Sequence, residues 1–364
     1  MFEDVIQFIR SQFDPTGFIP LHEPHFAGRE KEYLLDCIDS TYVSSVGPYV
    51  DRFETMLAEY TGAAFAIATV NGTSGIHVAL RLAGVEPGDE VITQSLTFVA
   101  TANAISYCGA TPCFVDVDRH TMGLSPDALR EFLLERTSFN AESGRLVNKK
   151  TGRRIAACLP MHTFGHPCRI DEIVFICREY GLPVIEDAAE SLGSLFQSKQ
   201  TGTFGDMGVF SLNGNKTITC GGGGAIITND PVLAKRAKHI TTTAKIPHRW
   251  DFVHDEIAYN YRMPNLNAAL ACAQLEQLDE FLISQRKLAE TYAAYFTTQE
   301  PTFITEPVNS RSNYWLNALV LKDIQERDAF LEATNNANVM TRPIWRLLNQ
   351  LEMYQHAPHG TLEN

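Results

Sequence analysis

The sequence predicts an α/β protein, with a mainly parallel sheet flanked by helices on both faces and a smaller α+β domain at its C-terminal end. Two observations predict it. From residue 64 onward short apolar runs alternate with segments of helical spacing, and a long amphipathic stretch from residue 265 opens a region of different pattern. With 364 residues, 45% hydrophobic and 20% charged, the chain can bury one large core and a second, smaller one. The expected division is a large domain over 1–262, including an N-terminal segment, and a small domain over 263–364.

In chain order, Phe2, Val5, Ile6, Ile9 and Phe13 share one helical face, which Pro15 and Gly17 end; residues 28–40 and 50–61 repeat helical spacing. Ser44-Ser45-Val46-Gly47-Pro48 between them reads as a loop. Phe65–Val70 predicts a strand, Asn71–Gly75 a turn and Ile76–Leu82 a helix. Strands follow at 91–93, 112–117, 155–160, 182–186 and 225–228, and helices at 98–107, 126–136, 171–180 and 231–239, with a hairpin-like stretch near 149–152. One helix is expected over 265–298, then a strand over 315–321 and a helix over 325–334.

A net charge of −13 and a pI near 5.3 argue against nucleic acid or an anionic membrane as partner. The eight cysteines form no C-x-x-C pair and lie mostly in apolar runs, which suits reduced core thiols in the cytoplasm. The acidic start lacks the bases of a signal peptide, and no apolar run approaches the ~18 residues of a membrane span.

The chemistry centres on residues 209–224, where Lys216 sits between an apolar run and the glycines Gly221–Gly224. A lysine among Phe210, Ile218 and Cys220 is placed to shed its charge and act as a nucleophile, although a plain turn would also suit it. Asp187 ends a strand, where ligands of parallel sheets gather. The strand-turn-helix at Asn71-Gly72-Thr73-Ser74 offers free amides to a phosphate, and would also serve as a simple helix cap. Pyridoxal 5′-phosphate needs all three: an amine to carry it, an aspartate at its ring nitrogen and a helix end at its phosphate. The His162, His166 and Cys168 spacing suggests zinc only weakly, lacking a fourth ligand, and no metal is expected.

Six motifs in order resemble the DegT/DnrJ/EryC1/StrS sugar aminotransferases: Ser44–Pro48, Asn71–Ser74, Thr97–Asn103, Glu186–Glu190, Phe210–Lys216 and Tyr259–Pro264. The resemblance runs over residues 20–355 and implies the pyridoxal-phosphate transferase fold of type I, with a seven-stranded sheet. It makes Lys216 the Schiff-base lysine and Asp187 the partner of the ring nitrogen. It gives Gly72, Thr73 and Ser211 to the phosphate, Phe98 to the cofactor's face and Glu190 to the pocket; the turn itself also offers the Ser74 hydroxyl to the cofactor. Asn260 would reach the phosphate of a neighbouring subunit, which implies a homodimer with shared sites. The nucleotide-sugar would lie among Ser44, Ser45, His162, Lys245, Tyr259 and Trp345. Four glycines stand where many members have Gly-Glu-Gly-Gly, and the chain ends at Asn364, sooner than the resemblance implies, so a last strand of the small domain is expected to be missing.

The closest subgroup aminates C4 of UDP-linked 4-keto-6-deoxy-N-acetylhexosamines on routes to bacillosamine and legionaminic acid. The implied activity moves an amino group from glutamate to that carbon. Two alternatives are a sugar dehydratase, in which histidine replaces the lysine, and a non-transaminating protein that binds nucleotide sugar.

Overall fold

The structure, a computed structural model, describes residues 2–13, 16–298 and 300–364. Seven strands form the central sheet: β1 (Phe65–Thr69), β2 (Glu90–Gln94), β3 (Thr111–Val115), β4 (Ile155–Leu159), β5 (Ile185–Asp187), β6 (Met207–Ser211) and β7 (Gly224–Thr228). Their order across the sheet is β1-β7-β6-β5-β4-β2-β3, with β4 and β5 joined by parallel bridges at Cys158/Val184 and Met161/Asp187. Only β7 runs antiparallel to its neighbours. This is the seven-stranded, mainly parallel sheet that the resemblance implies.

The strands are apolar on both faces because both are covered. On β7, Ile226 packs into one core with Ile67, Ile76, Leu80 and Val209, whereas Ala225 and Ile227 pack into the other with Phe53, Leu57 and Phe210. The first core lies under α4 (Gly72–Leu82), α5 (Val99–Tyr107) and α8 (Pro231–Thr241); the second lies under α2 (Glu30–Asp39), α3 (Pro48–Thr61) and α9 (Asn265–Leu275). A third, built around β2, β3 and β4, is covered by α6 (Pro126–Arg136) and α7 (Ile170–Glu179). All eight cysteines are buried and unpaired.

A separate aromatic core joins the two ends of the chain. Phe8 of α1 (Glu3–Ser11) stacks on Tyr295 of α10 (Leu278–Phe296) at 3.8 Å, and Phe2 meets Phe330 of α11 (Ile324–Asn336) edge-on at 5.1 Å. The proline expected to end α1, Pro15, lies outside the described residues. The segment 348–360 returns to the sheet, where the Phe114 amide bonds the Pro358 carbonyl and Tyr354 donates to Asn103 on α5.

Two elements differ from the sequence pattern. The helix expected over 265–298 breaks at Glu276 and Gln277, whose side chains bond Tyr33, Arg52 and Glu30 of α2 and α3. The strand expected over 315–321 shrinks to Leu319–Val320, because Asn313 and Trp315 hydrogen-bond to the carbonyls of Glu190 and Asn215 instead of into a ladder. Among the described residues no helix is long and apolar enough to cross a membrane.

Candidate active site

The carboxyl ends of β5 and β6 and the N-terminus of α4 converge. Asp187 ends β5, is 3% exposed, and accepts hydrogen bonds from the Thr101 hydroxyl (2.7 Å) and the Ala189 amide (3.2 Å). Burial pushes its carboxyl up, against the pull of Thr101, Ala189 and the charge of Lys216. A buried carboxylate in that condition favours a cationic partner, which a protonated ring nitrogen supplies.

Asn71 caps α4 by accepting from the Ser74 amide (2.8 Å), while its carbonyl takes the Gly75 amide (3.2 Å). The amides of Gly72 and Thr73 have no protein partner among the described residues, as expected of a first helical turn. A Cβ at Gly72 would come within 2.9 Å of the Ser211 Cβ, so glycine is what lets the helix end and the end of β6 close on one point. Thr73, Ser74 and Ser211 carry hydroxyls beside this positive helix end, the kind of place where an anion can be held. The residues therefore fit pyridoxal 5′-phosphate at both of its charged ends.

Lys216 follows β6. The sequence pattern suggested apolar surroundings; instead its Nζ lies 3.1 Å from Glu190 Oε1 and 4.1 Å from the centroid of the Trp315 ring. Glu190 is 1% exposed, and burial, partly offset by Lys216, pushes its carboxyl up to about 7. Its second oxygen accepts the Phe164 amide at 3.0 Å. Phe164 adopts φ 57°, a left-handed conformation that costs a bulky residue energy and aims this amide. Its ring faces Trp345 (5.5 Å) and Trp315 (6.3 Å), and Trp345 in turn meets Phe98 (5.9 Å). Thus Phe98 and Trp345, both expected at the site, share one aromatic wall, and Phe98 is 46% exposed at the cap of α5.

His162 is placed otherwise. It has no exposed surface, its Nε2 donates to Glu186 (3.0 Å) and its Nδ1 accepts the Cys168 amide (3.2 Å). A side chain so enclosed has no face for a sugar, and the expectation that His162 contacts the nucleotide-sugar gives way to a scaffold role. Ser44 is exposed; Ser45 lines a cleft of about 200 Å³ with Lys238, Thr242 and Arg262. Tyr259 stacks on Tyr261 at 4.8 Å, Asn260 is exposed and accepts from Arg262, and Lys245 sits on an exposed hairpin over Phe252. No hydrogen bond or ring contact among the described residues joins these five to Lys216, Asp187 or Glu190.

Sequence reasoning missed Trp315, Asn313, Phe164 and His22. His22 carries a buried Nδ1 without a partner, and burial and then the charge of Lys216 lower its pKa. Thr101, which holds Asp187, lies inside the Thr97–Asn103 motif, where nothing in the sequence marks its role. The single grouping of potential metal ligands among the described residues is His239, Asp255 and Glu256, where Arg236 already pairs with Glu256. His162, His166 and Cys168 assemble no such group.

A family model described as the DegT/DnrJ/EryC1/StrS aminotransferase family matches residues 24–363. GDP-perosamine synthase of Escherichia coli O157:H7 is 37% identical over 337 residues, covering 93% of this chain and 87% of that protein. EpsN of Bacillus subtilis (strain 168), assigned by its name to the pyridoxal phosphate-dependent aminotransferases, is 38% identical over 340 residues, 93% of this chain and 84% of that one. Among solved structures, the aminotransferase TlmJ from Streptoalloteichus hindustanus superposes with a TM-score of 0.84 at 28% identity, covering 95% of this chain and 89% of that one.

Proposed function

This chain belongs to the DegT/DnrJ/EryC1/StrS aminotransferase family, and from that premise we propose that it moves an amino group from glutamate to the C4 keto carbon of a UDP-linked 4-keto-6-deoxy-N-acetylhexosamine. It is a pyridoxal-phosphate-dependent sugar aminotransferase; the donor, the carbon and the nucleotide are the proposed part. The observation that carries the reading is Lys216 Nζ, poised beside a buried carboxylate within the same strand-end site as Asp187. A lysine at this position also opposes the dehydratase alternative.

Pyridoxal 5′-phosphate supplies the electron sink through which an amine passes between two carbons. The chain's own residues do the rest. Gly72, Thr73, Ser74 and Ser211 would hold the phosphate, and Asp187 would keep a proton on the ring nitrogen. Lys216 Nζ would attach the cofactor and then, freed, carry protons between carbon centres. Phe98 and Trp345 would wall one side of the site against water.

Asn260 would serve the site of a second copy, making a homodimer. The support is its exposure, next to a segment whose Trp250, Phe252 and Ile257 are 72%, 80% and 94% exposed, surface that association would cover. Mixing Lys216→Ala with Asn260→Asp subunits should restore activity in the hybrids; no restoration would assign Asn260 to its own chain. The reduced cysteines and acidic charge support a cytoplasmic location.

The choice of UDP rests on the motif resemblance, while relatives named GDP-perosamine synthase favour a GDP-linked sugar as a second reading. One experiment addresses both. Purified protein with cofactor should be yellow and bleach on adding glutamate, and the bleached form should regain colour with the right keto sugar from a UDP- and GDP-linked panel. Protein that binds the cofactor but never bleaches would point to the non-transaminating alternative.

A further inference from the structure

Lys216 is touched by a residue from a distant part of the sequence. Trp315 is 5% exposed, and its face lies 4.1 Å from Lys216 Nζ. Its Nε1 donates to the Asn215 carbonyl at 2.6 Å, which locks the ring beside the lysine's own turn. Asn313 sets this position. Its Nδ2 donates to the carbonyls of Glu190 and Leu192 (both 2.9 Å) and to the Thr217 hydroxyl (3.1 Å), and its Oδ1 accepts the Trp315 amide (2.9 Å). One fully buried carboxamide therefore ties together the chain at Glu190, the turn after Lys216 and the ring of Trp315. Gly165 makes room for it: at φ +87°, a Cβ there would stand 1.8 Å from Asn313 Oδ1.

A carboxylate and an indole face have one preference in common, which is for a cation. We propose that Trp315 is a positioning residue which, with Glu190, forms a holding site for the ammonium form of Lys216. This rests on the reading of Lys216 as the cofactor-carrying amine and extends it to the interval in which that amine is free. A lysine that must leave and return needs a defined place while detached; a flexible side chain left to water would lose the alignment that catalysis depends on. The other titratable groups facing this amine are Asp187 and His22, and His22, disfavoured as a cation, does not compete for the site.

The test uses cofactor-free protein and trace labelling of Lys216 Nζ by acetic anhydride across pH, read by peptide mass spectrometry. Because burial pushes the Glu190 carboxyl up to about 7, variants are compared with wild type above pH 8, past that value. Trp315→Leu should move the labelling midpoint down by about one pH unit, roughly a tenfold gain in reactivity below it, and Trp315→Phe, which keeps a π-face, should fall between. If the leucine variant does not fold, protein grown with fluorinated tryptophan keeps the shape while draining the ring of charge, and its midpoint should fall in the same direction. A midpoint unchanged or raised in the folded variants overturns the proposal. No sugar or bound cofactor enters the measurement, so failure here leaves amine transfer standing, and failure of glutamate bleaching leaves this result standing.

Discussion

Glu186 and Asp187 are adjacent, equally buried carboxylates on β5 that serve different ends. Successive strand residues point to opposite faces, so one side chain enters the interior and the other the strand-end site. Glu186 accepts from the amides of Gly202, Phe204 and Gly205, each at 2.7 Å, and from His162 at 3.0 Å. Asp187 has one hydroxyl and one amide, and Glu190 one amide and one lysine. Burial alone does not separate scaffold from site, since all three are at most 3% exposed. Unspent acceptor capacity does. A saturated carboxylate fixes the loop 202–205 against the sheet; an under-occupied one is held ready for a ligand, and its raised proton affinity records the cost.

The sharpest way to break this comparison is to remove one group from each side. Lys216→Ala should cost at least about 10⁴-fold in turnover, since the amine is the reacting group, while its urea midpoint at pH 5, below the value of about 7 to which burial pushes Glu190, stays near wild type. Sustained turnover without added amine would end the assignment. Glu186→Ala should do the reverse. It strands three amides and an imidazole in a dry interior and should lose about 3–5 kcal/mol of stability in urea titrations. A loss under about 1 kcal/mol would show that Glu186 is not the scaffold described.

How much of this was legible follows from the range of each interaction. Lys216, Asp187 and the turn at Gly72 were readable because each is marked locally, by a glycine tract, a strand end and a cap. Trp315 was not, because nothing near it in sequence says which lysine it will meet; Asn313, which sets its place, finds Glu190, Leu192 and Thr217 only in the folded chain. His162 was given to the nucleotide-sugar by resemblance alone, and what encloses it, Glu186 and Cys168, is visible only in three dimensions. The apolar pattern revealed the strands but not that β7 runs backwards, since a covered strand reads alike in both directions. Periodicity likewise ran through Glu276 and Gln277, whose partners on α2 and α3 break the helix.

Within the site, Asp187→Asn sharpens the contrast by keeping shape and removing charge. Thr101 can still donate to the amide oxygen, so stability should change little. The lost charge-assisted bond, about 1.5–3 kcal/mol, should lower kcat by tenfold to roughly a hundredfold. Near wild-type rates would place the ring nitrogen's partner elsewhere.

The smallest expected effect is the most specific to the under-occupied side. Glu190 is held at about 7 by burial, against an ordinary value of 4.5. The folded chain therefore binds this proton more tightly than the unfolded chain does. The stability that results is present in full below pH 4.5 and is lost as pH rises through 7. The difference amounts to at most about 3 kcal/mol. Glu190→Gln keeps the acceptor for the Phe164 amide but cannot titrate, so its stability should not carry that slope. In urea titrations at pH 5 and pH 8, wild type should lose about 1–3 kcal/mol relative to the variant. Parallel profiles would mean that Lys216 fully compensates the carboxylate. Glu190 would then be as saturated as Glu186, and spare acceptor capacity would no longer distinguish the site from its scaffold.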